Sequence, residues 1–117
     1  MADIEILDNG ILVATLRGEL DNHEANRIRA QISASIFTGQ VGAVIWNLEG
    51  LGFMDSAGIG LILGRMRDLA PTGGETLILN PSTTMEKIFN FSGLGPNIRH
   101  CTVDMAIVEI GGVLHEQ

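Results

Sequence analysis

The chain of 117 residues holds one cysteine, one tryptophan, three prolines, no tyrosine and a single lysine, Lys87. One cysteine excludes an internal disulfide, and with it the small stapled scaffolds of oxidising compartments. Cations are scarce too: seven Lys and Arg face fourteen Asp and Glu, for a net charge of −7. A protein that reads nucleic acid needs a basic face for the phosphates, so nucleic acid is excluded as the main partner. No apolar run comes near the roughly 20 residues that cross a bilayer. The chain does not open on a basic stretch followed by an apolar one, so neither membrane insertion nor a signal peptide is expected. These absences together lead to the expectation of a cytoplasmic protein whose core is built from Leu, Ile and Val.

Hydrophobic residues make up 45% and charged residues 18%, the balance of a folded domain, and the length suits one domain over residues 1–117. Ile4 and Ile6 alternate with polar neighbours, Asp8-Asn9-Gly10 carries a turn signal, and Ile11 to Leu16 is rich in branched residues. The expectation there is a β-hairpin whose second strand is covered on both faces. Gly18-Glu19-Leu20-Asp21 should break that strand. Asp21 has the position of an N-cap with Glu24 three residues on, and Ala25, Ile28, Ile32 and Ile36 make one helical stripe that Gly39 and Gly42 end.

Ala43 to Leu48 is the clearest buried strand. The helix after Asp55 is expected to bury Ile59, Ile62, Leu63, Met66 and Leu69, with Arg65, Arg67 and Asp68 outward. Pro71 to Gly74 reads as a loop and Thr76 to Leu79 as a third core strand. A helix starting near Ser82, with Thr83 and Glu86 at capping-box spacing, should bury Met85, Ile88 and Phe89 and stop at Gly93. Ile98 to Val103 reads as an edge strand, and Asp104 as the cap of a last helix ended or frayed by Gly111-Gly112. Strands alternating with about four helices give an α/β fold: a mostly parallel central sheet opened by an antiparallel N-terminal hairpin. Sites in such sheets collect where strands end at the carboxyl edge, and both Asp21 and Ser56 lie there.

Asp55-Ser56-Ala57-Gly58-Ile59-Gly60 is the segment with the most chemistry. The economical reading is a helix cap by Asp55 or Ser56, which contributes about 1 kcal/mol. The sharper reading is phosphorylation of Ser56, because a helix N-terminus offers free N–H donors and a positive dipole end. Nucleotide loops do not fit. A P-loop needs Gly-Lys-Ser/Thr, and the dinucleotide fingerprint needs a third glycine where Leu63 stands. Gly60 and Gly64, one turn apart, suggest instead close helix packing. A hydrolase elbow would need a glycine at Met54, and its base would be His23, His100 or His115. His100 and Cys101 are neighbours on the expected strand and point to opposite faces, so no metal site is expected, and no cofactor. Leu51, Phe53 and Met54 could be core plugs or a contact surface.

Read together, Gly18-Glu19-Leu20-Asp21, Asn47-Leu48, Phe53 to Gly60 and the Phe-Asn-Phe-Ser-Gly-Leu segment from Phe89 to Leu94 resemble the STAS domain family. The resemblance is closest to the bacterial anti-sigma factor antagonists. It implies a STAS fold and a protein that is not an enzyme but a switch. The unphosphorylated form binds an anti-sigma factor serine kinase and releases the sigma factor, and phosphorylation turns binding off. A phosphatase, expected to be of the PP2C type, resets the cycle. By that resemblance Ser56 is the phosphoacceptor, Asp21 matches the acidic residue near it, and Asn22, Asp55, Ala57, Gly58, Ile59 and Gly60 form the partner-binding neighbourhood. Two other roles stay open: a STAS subunit of a lipid-transport or sensory complex that is never phosphorylated, and a small serine hydrolase.

Overall fold

A computed structural model of the protein describes residues 1–115, with side-chain surroundings through residue 111. Five strands form one sheet in the order β1 (Ala2–Ile6), β2 (Ile11–Leu20), β3 (Ala43–Met54), β4 (Glu75–Leu79) and β5 (Ile98–Arg99). β1 is antiparallel to β2 and every other pair is parallel. Between them run α1 (Asn22–Phe37), α2 (Ser56–Leu69), α3 (Thr83–Phe91) and α4 (Val103–His115).

Strand alternation sets the layers. Leu12, Ala14, Leu16, Val44, Trp46, Leu48 and Ile78 face α1, α2 and α3 in the larger core. Their odd-numbered neighbours Ile11, Val13, Ala43, Ile45, Leu77 and Leu79 face the other way, against Ala106 of α4. Both faces of the central strands are therefore apolar, which is why they read as continuous hydrophobic runs.

Several boundaries differ from the sequence expectation. β2 does not break at Gly18 but runs on to Leu20, and β3 runs past Leu48 to Met54. β4 pairs with β3 only from Ala43 to Asn47, so the far half of β3 has β2 alone beside it. Register shifts between Thr15 and Arg17 and between Gly18 and Glu19 give β3 two extra residues. Such bulges bend and twist a strand pair. Gly18 takes a left-handed φ of +69° here, which suits glycine.

At the other end of the chain, Ile98 to Val103 shrinks to a two-residue strand, and His100 and Cys101 lie outside it. Thr102, not Asp104, caps α4: its hydroxyl accepts from the Met105 N–H at 3.1 Å. Gly111 and Gly112 do not end that helix, which continues to His115. Pro71 and Thr72 belong to a short 3-10 turn, Ala70–Thr72. α3 is capped by Ser82, one residue before the expected Thr83, and Gly93 follows it with φ +83° as anticipated.

Candidate functional site

Paired strands deliver the site. Leu20 is the register partner of Met54, so the next residues, Asp21 and Asp55, leave adjacent parallel strands at one level. Each is an N-cap. Asp21 Oδ1 accepts from the Glu24 N–H at 2.8 Å, and Asp55 Oδ1 accepts from the Ala57 N–H at 2.9 Å. Asn22 and Ser56 are therefore the first residues of two helices that start side by side, and both are exposed. The cap of α2 is Asp55, which leaves the Ser56 hydroxyl uncommitted to that role.

Gly58 has a reason inside the fold. A Cβ there would stand 1.8 Å from Met54 Cγ and 2.1 Å from Met54 Sδ, both closer than atoms can approach. Met54 is a core plug, 4% exposed, and Gly58 lets α2 lie over it. We expect Gly58→Ala to lower stability by about 1–3 kcal/mol in spite of alanine's helix preference. A higher melting temperature for that variant would mean that Met54 swings aside freely.

Gly60 and Gly64 have no such reason. A Cβ at either would meet nothing within 4 Å, so the expected close packing is absent. Glycine inside a helix costs about 1 kcal/mol relative to alanine, and no contact among the described residues offsets it here.

The buried face of α2 is also turned from its expected position. Gly58, Leu61, Ile62, Arg65 and Leu69 are buried, whereas Leu63 is 38% exposed and Ile59 and Met66 are half-buried. Arg65 and Asp68, expected outward, lie between α1 and α2. Asp68 Oδ2 accepts from Ser33 Oγ of α1 at 2.7 Å and from Arg65 Nε at 2.9 Å. The reason lies in the neighbours. α2 is apolar nearly all round from Ile59 to Leu63, so its own pattern cannot choose which side meets the sheet and which meets α1.

Two depressions flank the first turns of α2. One, of about 550 Å³, lies between α2 and α3 and is bordered by Phe53, Ser56, Ile59, Gly60, Leu63 and Ile88. Its walls are mainly apolar, with Phe53 58% and Ile88 42% exposed, so Ile88 is not the core residue expected of it. Leu51 and Met54 are the plugs and Phe53 the surface residue of that trio. The second depression, of about 290 Å³, lies between α1 and α2 and is lined by Ala25, Asn26, Arg29, Ala57, Gly60 and Leu61. Gly60 borders both. Nothing in the sequence pattern marked Ile88 as sharing a depression with Ser56, or Arg29 as sharing one with Ala57, since their approach depends on how three helices lie on the sheet.

Of the three histidines weighed as hydrolase bases, two have described side chains. His100 Nε2 lies 3.2 Å from Glu86 Oε1, and His23 is exposed on the first turn of α1. The His115 side chain lies outside the described residues. Among the described residues no group of three His, Cys, Asp or Glu side chains is gathered for a metal ion. No described helix is long and apolar enough to cross a membrane.

Residues 4–110 match the family model of the STAS domain. An anti-sigma F factor antagonist of Lysinibacillus sphaericus is 52% identical over 112 residues, which cover 96% of either chain. The structure of the anti-sigma factor antagonist SpoIIAA in its unphosphorylated form superposes with a TM-score of 0.91 at 48% identity, over 96% of this chain and 97% of that one. The Bacillus cell fate determinant SpoIIAA in the phosphorylated form gives a TM-score of 0.88 at 49% identity, over 94% and 99% of the two chains.

Proposed function

The chain belongs to the STAS domain family, and from that premise we propose that it is an anti-sigma factor antagonist switched by a phosphate on Ser56. The observation that carries the switch is the position of Ser56: exposed, first in its helix, relieved of capping by Asp55, and level with the start of α1. The unphosphorylated face, with Asp21, Asn22 and Asp55 beside Ser56 and Ala57 to Gly60 behind it, binds an anti-sigma factor that is itself a serine kinase. Binding frees the sigma factor. The kinase then transfers the terminal phosphoryl group of ATP to Ser56 Oγ. The bond from that phosphorus to ADP breaks, the Oγ–P bond forms, and the hydroxyl proton leaves to a base of the kinase or to water.

Phosphate adds about −1.5 to −2 charge at neutral pH, next to two carboxylates in a protein already at −7. Keeping the interface closed would then require burying that charge against charges of its own sign. Each 1.4 kcal/mol of lost binding is about tenfold in affinity, so a few kcal/mol releases the partner. No refolding is needed, because a phosphate is tolerated at the start of a helix. The likeness to SpoIIAA structures in both chemical states supports this reading. A phosphatase of the PP2C type removes the group by hydrolysis. Catalysis belongs to the partners, and the chain itself is a cytoplasmic substrate and binder.

The test is to incubate the protein with ATP and the anti-sigma F factor of Lysinibacillus sphaericus, and to weigh it intact. The expected product carries one phosphate, and Ser56→Ala carries none. An unchanged wild-type mass would favour the STAS subunit of a lipid-transport or sensory complex. Labelling of Ser56 by an active-site phosphonate would favour a hydrolase.

A further inference from the structure

Resting on the reading of Ser56 as a kinase's target, we propose that the Arg65–Asp68 pair, hydrogen-bonded to Ser33, is a rotational key that keeps Ser56 turned outward. α2 has two faces it could bury. One carries the large apolar residues Ile59, Ile62, Leu63, Met66 and Leu69 and would leave Arg65 and Asp68 in water. The other, which it does bury, carries Gly58, Leu61, Ile62, Arg65 and Leu69. Hydrophobic burial alone favours the first, which gains Leu63 and returns a guanidinium to water. The choice decides where Ser56 points. Leu63 stands seven residues after Ser56, and seven residues of helix come back to within about 20° of the same side. A setting that buried Leu63 would therefore turn Ser56 inward with it. The 38% exposure of Leu63 and the exposure of Ser56 are two ends of one orientation of α2.

What holds the less apolar setting is polar. Asp68 Oδ2 accepts from Ser33 Oγ at 2.7 Å and from Arg65 Nε at 2.9 Å, and the Ser33 bond exists only while this side of α2 faces α1. As a source of stability the trio is poor. Arg65 is 7% exposed, its Nη1 has no partner among the described residues, and apolar residues of similar size often serve a fold as well as a buried ion pair does. What the trio does supply is a choice between two packings, the best-attested use of buried polar groups. Arg65, Asp68 and Ser33 line neither depression beside the start of α2. They are positioning residues that act on Ser56 through the helix.

The test compares the wild type with Arg65→Met combined with Asp68→Leu, which fills the space and removes the polar choice. Exposure of position 56 is first read without any kinase, as the rate at which iodoacetamide alkylates Ser56→Cys in a Cys101→Ser background. Adding the double substitution should slow alkylation about tenfold, as it would if a tenth of the molecules held position 56 outward. With Ser56 restored, phosphorylation by ATP and the anti-sigma F factor of Lysinibacillus sphaericus should show a KM about tenfold higher and an unchanged kcat, because only the outward fraction binds. The urea midpoint should stay near that of the wild type. Ser33→Val should move alkylation and KM in the same direction by about threefold, whereas Ser33→Thr, of the same shape but with the hydroxyl, should behave as the wild type does. Wild-type alkylation in the double variant, or faster alkylation from a loosened helix, would overturn the key. A wild type that gains no phosphate, beside slowed alkylation in the double variant, would overturn the kinase-substrate reading and leave the key standing.

Discussion

Ser56→Glu is expected to weaken binding to the anti-sigma factor kinase by about a hundredfold, roughly 2.7 kcal/mol, while Ser56→Ala binds as tightly as the wild type and is never released by ATP. The two variants separate charge from shape. Alanine removes only a hydroxyl that does not cap the helix, because Asp55 does so through the Ala57 N–H. Its fold stability should stay within about 0.5 kcal/mol of the wild type. Glutamate places one negative charge where phosphate would place nearly two, level with the paired caps Asp21 and Asp55. Its effect is therefore a lower bound on that of the phosphate. Calorimetric titration in the absence of nucleotide reads binding alone. If Ser56→Glu bound like the wild type, charge at this helix start would not be what releases the partner.

The second large effect concerns stability. Asp68→Ala is expected to lower it by about 3 kcal/mol, measured by urea unfolding. The carboxylate receives the Ser33 hydroxyl and the Arg65 Nε on one oxygen, and the two charged side chains are only 9% and 15% exposed. Removing it strands a buried guanidinium whose Nη1 already has no partner among the described residues. Ser33→Ala removes one hydrogen bond and should cost about 1 kcal/mol. Replacing both charges, as in Arg65→Met with Asp68→Leu, should restore most of the loss, because no unpaired charge then remains buried. A loss below about 0.5 kcal/mol for Asp68→Ala would mean that these residues are solvated, as an outward-facing helix side would be. The pair joins α1 to α2 beyond the end that carries Ser56. Its loss is thus expected to loosen the relative placement of Asp21 and Ser56 before it unfolds the sheet.

The amino-acid sequence by itself determined the layered α/β fold, the cap at Asp21, and the family of the Asp55 to Gly60 segment. These are local matters. Apolar runs such as Ala43 to Leu48 can only be buried strands, and an aspartate three residues before a free N–H can satisfy it without help from elsewhere. What the sequence left open is where elements meet. Gly18-Glu19-Leu20-Asp21 reads as a break and the next strand as ending at Leu48, yet each strand stays extended because the other is there to pair with it. Only that pairing puts Asp21 and Asp55 on one level. The rotation of α2, which hides Arg65 and bares Leu63, was likewise settled by α1 and the sheet, since a helix apolar on most sides fits in more than one way. So too for the glycines: identical on paper, Gly58 answers to Met54, while Gly60 and Gly64 answer to nothing among the described residues. A contact between distant residues is a property of the packed chain, and only the tertiary structure could decide it.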